Sequence, residues 1–431
     1  MGTQTGRIHR WSWPDLGPAE IGEVLKAAAI ERAAAEMEEN MTDDVKSWVK
    51  ATGMDEVGEV TAVAAVVGRG RAKLRGGQLE LPLLLPASAR SLPGHDAGSA
   101  LPAVRVAGRV LDPTPVFTTY WRFAAERQAV YLSRVAGQPG PWTGDPVLLR
   151  HRFTNCYRAS DRVSQYLIRH VSYAGSQQPG EIVFRTLLFK LFNRISTWEL
   201  LAAAALGELT WAGFDFEAYD RVLTQAFTAG HRLYSAAYVM PPPRLGAQRK
   251  HANHLRLLER MMADGLAGRL ADAGSLQAVF RILRSYPAIG DFLGYQLSID
   301  LNYSIAVNFS EMDFVVPGPG ARDGIRKCFG PAADGIEAEI IRFAAGHQAE
   351  YFGRLGLEFP GLWGRPLQLI DVQNLFCEVD KYARVVHPGI AGHSGRSRIK
   401  QRFTPVAAPV TAWFPPKWGL PVSPAAVAAG S

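Results

Sequence analysis

Asp313, in "NFSEMDFVVPGPGARDG", stands 27 residues beyond Tyr286 of "RSYPAIGDFLGYQLSIDL". That distance accommodates a second helix and a connector that returns the carboxylate toward the turn at Pro287–Gly290. A carboxylate there could orient or deprotonate a water. An aspartate just before a glycine-rich turn is also an ordinary helix cap. Upstream, Leu276, Val279, Phe280 and Leu283 form an apolar stripe that ends where Pro287 stops the helix and Gly290 permits the reversal. The result is a helix-hairpin-helix in outline. The free N–H groups that begin its second helix can hold a phosphate at Gly290, and a monovalent cation is the only cofactor this arrangement implies. A plain corner between two helices has the same pattern.

A second group of residues clusters in "YWRFAAERQAVYLSRVAGQPGPWTGDPVLLRHRFTNCYRASDRVSQYLIR". Trp121, Arg122, Glu126, Arg127, Trp142, Thr143, Asp145, Asn155, Arg158, Asp161 and Arg162 lie there among apolar residues, where a merely solvated face would need no tryptophans. "VVPGPGARDGIRK" offers Gly318, Gly320 and Gly324 with Arg322 beside them as an anion nest. Its spacing fails the dinucleotide fingerprint, and no G-x-x-x-x-G-K-[ST] loop occurs in the chain. "CEVDKYAR" places Glu378, Lys381 and Tyr382 at helical neighbour spacing, and "HPGIAGHSGRSRIKQRF" carries Arg396, Arg398, Lys400 and Arg402 with no acidic residue. Glycine-serine flexibility with positive charge suits a segment that tracks phosphates. His251 and His254 have i,i+3 spacing but no third ligand, so no metal site is expected.

These groups need elements to hold them. At 431 residues with 47% hydrophobic content the chain can bury a substantial core, and its net charge of +7 permits a polyanionic partner. Cys156, Cys328 and Cys377 lie far apart, which suits a reducing compartment, and neither a leader nor an apolar run of membrane-spanning length is evident. The expected location is the cytoplasm, with no membrane partner. Residues 1–100 read as a small α+β accessory unit, with Gly76-Gly77 as a hairpin turn and a Pro/Gly-punctuated linker ending near Pro102. Residues 101–403 read as a mainly α domain, with helical stripes from Phe117 to Val135 (broken at Gln128), through 184–206, 253–271, 275–286, 336–354 and 366–386. Residues 404–431 form a Pro/Ala-rich tail, extended except where Trp413 or Trp418 packs.

The hairpin followed by Asp313 resembles helix-hairpin-helix DNA glycosylases. Ala288 replaces the first hairpin glycine, and Phe292 stands where bifunctional members carry a nucleophilic lysine, so the resemblance implies base removal without strand cleavage. The ordered blocks "PWT-x-DP", "FTN-x-YR-x-x-DR-x-x-QYL", "LFKLFNRISTWELL", "YPAIGDFLGYQLSIDL", "PGPGARDGI" and "NLFCEVDKYAR", spread from Phe117 to Phe403, resemble the α-glutamyl/putrescinyl-thymine pyrophosphorylase family. Relatives include the helical domain of 5-hydroxymethyluracil DNA kinases.

That resemblance implies a glycosylase-like helical core and, as substrate, double-stranded DNA carrying a modified pyrimidine. One relative is an anti-phage glycosylase that excises glucosylated hydroxymethylcytosine. By the same resemblance Trp142, Asn155, Tyr157, Arg158 and Asp161 line a base pocket, with Gln296 and Asp300 added from one face of the second hairpin helix. An Arg-Asp network that locks helices together would use the same residue types. The leading expectation is a monofunctional DNA glycosylase of anti-phage defence, with Asp313 catalytic and phosphates held by Gly290, Gly318, Gly320, Arg322, Lys381 and the basic segment. The alternatives are a transferase that displaces pyrophosphate from a pyrophosphoryl-oxymethyl pyrimidine with an amine, and a non-catalytic reader of modified DNA.

Overall fold

The computed structural model describes residues 101–420, apart from Ala205, Tyr238, Val239, residues 406–409 and Thr411. The accessory unit and its Gly76-Gly77 turn lie outside the described residues. What is described is mainly helical, as expected, with a single hairpin of two short strands, β1 (Val104–Val106) and β2 (Arg109–Leu111), at its start.

Helix α1 (Pro115–Val135) begins where the Thr114 hydroxyl accepts from the Val116 N–H and proline fills the first turn. Its stripe of Phe117, Tyr120, Trp121 and Ala124 is fully buried. Gln128, the apparent break in that stripe, is also buried and donates to the Gly361 carbonyl at 2.7 Å. The short α2 (Pro146–Arg150) is capped by Asp145, which accepts from Val147 and Leu148. An irregular connection, "HRFTNCYRAS", leads to α3 (Arg162–Tyr166) and a π-helical turn, Leu167–Ser172.

The middle of the chain supplies α4 (Pro179–Phe192), α5 (Ile195–Ala203), α6 (Phe216–Thr228), α7 (Lys250–Ala263) and α8 (Leu266–Ala271). The hairpin follows as α9 (Leu276–Arg284) and α10 (Asp291–Asn302). Ala288 at its tip has φ +63°, the left-handed conformation that glycine adopts most easily. The helix-hairpin-helix therefore keeps its backbone despite the unfavourable residue. The remaining helices are α11 (Pro319–Phe329), α12 (Glu337–Gly346), α13 (Gln348–Arg354) and α14 (Leu369–Val386).

Two apolar cores result, and α10 belongs to both. Tyr295, Ile299 and Tyr303 face the core built from α1, α11 and α14, whereas Leu297 and Leu301 face the core built from α4 to α9. The last described segment, Ala412–Leu420, is folded back on the first core: the Gln165 amide oxygen accepts from the Trp413 N–H, and Trp418 stands edge-on to Tyr303 at 5.7 Å.

Candidate functional site

Between the two cores lies a buried cluster of charge. Arg158, carried by the turn after "FTNCY", forms an ion pair through Nη1 with Asp300 at 2.8 Å and donates through Nε to Gln296 at 2.9 Å. Lys190, from the otherwise apolar face of α4, approaches the other Asp300 oxygen at 3.2 Å. Arg158, Gln296 and Asp300 are only 2%, 3% and 0% exposed, so the seam is closed to solvent. Two cations hold the Asp300 carboxyl below its usual range against the opposing effect of burial, while burial pulls the Lys190 amine down to about 8. Asp371 ties the same turn to α14, since its two oxygens accept from the backbone N–H groups of Arg158 and Gln368. The structure brings Arg158 together with Gln296 and Asp300 of α10. As arranged, however, they are paired with one another and lock two cores together.

Tyr157 is also inside, its hydroxyl donating to the Arg365 carbonyl at 2.6 Å, so its ring is not presented to a ligand in this conformation. Beyond it, Arg365 donates to the buried Glu311 at 2.9 Å and its guanidinium lies 4.0 Å from the Trp418 ring centroid. Neither residue of that pair was singled out from sequence.

Open pockets lie elsewhere, a small one beside Asp313 and a larger one beside Trp142. A pocket of about 600 Å³ lies between the C-terminal half of α1, the "GQPGPWTG" loop and the segment after α2. Arg127, Arg134, Trp142, His151, Phe153 and Phe403 are among its walls. The Trp142 indole donates to the Gln138 carbonyl at 2.6 Å, which folds the loop over its own start, and the Arg134 guanidinium sits 5.0 Å from the Trp142 ring. Asn155 and Asp161 stand behind the pocket. Arg127 donates to the Asn155 side-chain oxygen and, through Nε, to the Thr154 carbonyl at 3.0 Å. The Asn155 N–H in turn donates to Asp161 at 2.9 Å, and burial pushes the Asp161 carboxyl up to about 7. Lys381 is spent on Glu378 at 2.7 Å and lies 4.5 Å from the Phe153 ring, so it braces the pocket wall instead of reaching outward for phosphate.

The basic segment runs beside this pocket. His151 and Arg402 form an isolated antiparallel bridge, the Phe403 N–H donates to the Arg150 carbonyl at 3.0 Å, and the Arg152 N–H donates to the Gln401 carbonyl at 3.2 Å. Arg396, Arg398, Lys400 and Arg402 are all exposed. Nearer its start the segment is held by Asp323, which accepts from the Ser394 N–H at 2.9 Å.

The glycine-rich "PGPGARDG" is corrected by the structure. The Gly318 N–H is consumed by the Gln373 side chain at 3.0 Å, and an added Cβ at Gly320 or Gly324 would collide with Cys377 or with the Phe376 carbonyl. These glycines let α11 approach α14 closely, and the nest loses the donor it required. Arg322 is exposed and 3.5 Å from Glu337. Gly290 caps α10 without crowding, but the next residue, Asp291, brings an anion to that helix start and pairs with Arg284 at 2.6 Å. Asp313 is exposed and its Oδ2 accepts from the Leu276 N–H at 3.1 Å, so its carboxylate helps to cap α9. Residues 114–392 match the family described as "5-hmdU DNA kinase, helical domain". The chain belongs to this family.

A 5-hmdU DNA kinase of Bacillus phage SP10 is 28% identical over 290 residues, covering 61% of this chain and 44% of that relative. The chain thus spans less than half the length of the curated relative it matches. No solved structure matches it. These similarities overturn the expectation of a DNA glycosylase: a kinase is a phosphotransferase, not a hydrolase of N-glycosyl bonds. With that reaction goes the chemistry assigned to Asp313, for which the capping contact is the role on view. Among the described residues no helix is long and apolar enough to cross a membrane.

Proposed function

We propose that this chain is a group transferase acting at the 5-substituent of a hydroxymethylpyrimidine-derived base in DNA, leaving the N-glycosidic bond and the strand intact. The family match over residues 114–392 carries this reading, because the named family acts on DNA and its named chemistry is transfer. The Trp142 pocket supports it physically: aromatic walls suit a base turned out of the stack, and a ladder of exposed cations runs beside them to hold the backbone. These 431 residues contain no P-loop motif, so a phosphoryl donor would have to be held by another arrangement. In the amine-displacement form of the reaction the amine nitrogen attacks the 5-methylene carbon, the carbon–oxygen bond breaks, pyrophosphate leaves with the electron pair, and the amine proton passes to a base.

A second reading is a module that binds modified DNA and leaves the chemistry to another partner. It is favoured by one observation: among the described residues that line the pocket there is no carboxylate, and His151 is the one ordinary proton acceptor among them.

The test is mass spectrometry of a duplex bearing 5-hydroxymethyl- or 5-pyrophosphoryloxymethyl-deoxyuridine after incubation with the chain and candidate donors or amines. Transfer predicts a nucleoside of altered mass in an uncut strand, together with released pyrophosphate when the pyrophosphorylated base is supplied. Free modified base with an abasic site would contradict transfer. Tight binding with no product in any combination would support the second reading.

A further inference from the structure

The turn that delivers Arg365 is strained at its tip. Leu362 and Arg365 exchange two backbone hydrogen bonds, at 3.0 and 3.1 Å, and the residues between them, Trp363 and Gly364, have φ +50° and +89°. A two-residue loop with both φ positive favours asparagine followed by glycine, so a tryptophan in the first position opposes its own backbone. The Trp363 ring meets Phe414 edge-on at 5.8 Å, and the Arg365 guanidinium lies 4.0 Å from the Trp418 ring centroid. Phe414 and Trp418 stack on each other at 5.9 Å, so one pair of rings covers both side chains of the turn.

Both covering rings belong to the C-terminal strap, Ala412–Leu420, and that strap is fastened by few bonds. Gln165 accepts from the Trp413 N–H at 2.7 Å, and Lys417 donates to the Ser304 and Val307 carbonyls at 2.9 Å each. Among the described residues no backbone-to-backbone hydrogen bond joins the strap to the rest of the chain. Burial outweighs the attraction of Glu311 and pulls the Lys417 amine down to about 8, so the closed strap keeps a cation in an unfavourable place. It can lift without breaking a helix or a strand.

We propose that Trp363 and Arg365 form a stacking site for an unpaired base of DNA, which Phe414 and Trp418 occupy in cis and must vacate before the base enters. The strap rings are chemical substitutes for that base: a flat ring on a guanidinium is the contact a base makes with arginine, and tryptophan stacks on any base. Glu311 holds one edge of the Arg365 guanidinium at 2.9 Å and is itself buried, which fixes the plane on which the ring lies. DNA is the partner because the exposed cations Arg396, Arg398, Lys400 and Arg402 end 10 residues (412 − 402) before the strap begins. The segment that would track phosphates therefore leads into the strap. This site is distinct from the Trp142 pocket and reads no 5-substituent. It rests on the reading of the chain as DNA-binding, not on the transfer reaction.

The experiment is hydrogen exchange, read by mass spectrometry, on the full chain with and without a saturating, unmodified thymidine oligonucleotide. Binding should speed exchange across Ala412–Leu420 about fivefold or more while slowing it around Trp363. Strap exchange that stays the same or slows overturns the inference. Trp418→Ala, which empties the site, should bind the oligonucleotide about fivefold more tightly than the parent does. Adding Trp363→Asn, a residue the turn prefers, should return that affinity to the parent's. Equal or weaker binding by Trp418→Ala overturns the inference, as does a gain that survives Trp363→Asn, or no binding by either the parent or Trp418→Ala. Should Trp418→Ala fail to fold, the exchange measurement on the unaltered chain still decides. Because neither readout involves turnover, a strap that lifts without any transfer leaves this site standing while the transferase reading falls. Transfer beside a strap that stays shut does the reverse.

Discussion

Two buried arginines that the sequence places 31 positions apart, Arg127 and Arg158, are used in opposite ways. Arg158 sits at the seam between the cores, with Asp300 at 2.8 Å, Gln296 at 2.9 Å and the Tyr303 ring 5.6 Å away. Arg127 is also buried, yet it borders an open pocket and retains an unpaired nitrogen. The comparison teaches that burial of a charge does not by itself identify a site. A buried charge whose partners are all supplied by the fold holds the fold together, and only its place beside an open pocket makes a buried charge a candidate for function.

Several substitutions can break or sharpen that contrast. The largest effect belongs to the seam: Asp300→Ala strands Arg158 and Lys190 in the interior and should cost about 3–5 kcal/mol in urea unfolding. Next is Gly324→Ala, which forces α11 away from the Phe376 carbonyl and should lower stability by about 1–3 kcal/mol in the same assay. Replacing Arg396, Arg398, Lys400 and Arg402 together by alanine should leave the melting temperature within a degree or two, because all four are exposed. It should nevertheless lower the slope of log affinity against log salt for DNA by about 3 to 4, a change that fluorescence anisotropy at several salt concentrations can read. A pH-dependent effect concerns Asp161. Its carboxyl titrates at about 7 in the folded chain against 3.8 in the unfolded one, so the folded state retains a proton that the unfolded state has lost. Its contribution is fully present below pH 3.8 and is lost as pH rises through about 7. Between those limits the melting temperature of Asp161→Asn, relative to the parent, should therefore rise with pH, as differential scanning calorimetry can show.

The helical class, the hairpin and most helix-bearing stretches were legible because the apolar stripes, Pro287 and the capping residues act locally. The tertiary assignments were less legible. Gly320 and Gly324 look like an anion nest in one dimension, and only the approach of α14 shows that they are spacers between helices. Lys190 within "LLFKLFN" was the available sign of a buried ion cluster, since an isolated cation on an apolar helix requires a partner. Glu311 and Arg365 are 54 residues apart and meet only through the fold. The family resemblance named Trp142, which lines the pocket, and Asn155, which stands behind it. Arg127 was noted in the same stretch but not separated from its charged neighbours, because only three-dimensional pairing shows which cation has an unspent donor.

On the proposed function the Trp142 pocket, not the Arg158 seam, recognises modified DNA. The most direct test is the affinity of Trp142→Ala for a duplex carrying one 5-hydroxymethyl-deoxyuridine, measured beside an unmodified duplex. On that reading the variant stays folded and keeps its affinity for unmodified DNA but loses about tenfold in affinity for the modified duplex. A folded Trp142→Ala that still distinguishes the two duplexes as the parent does would contradict it.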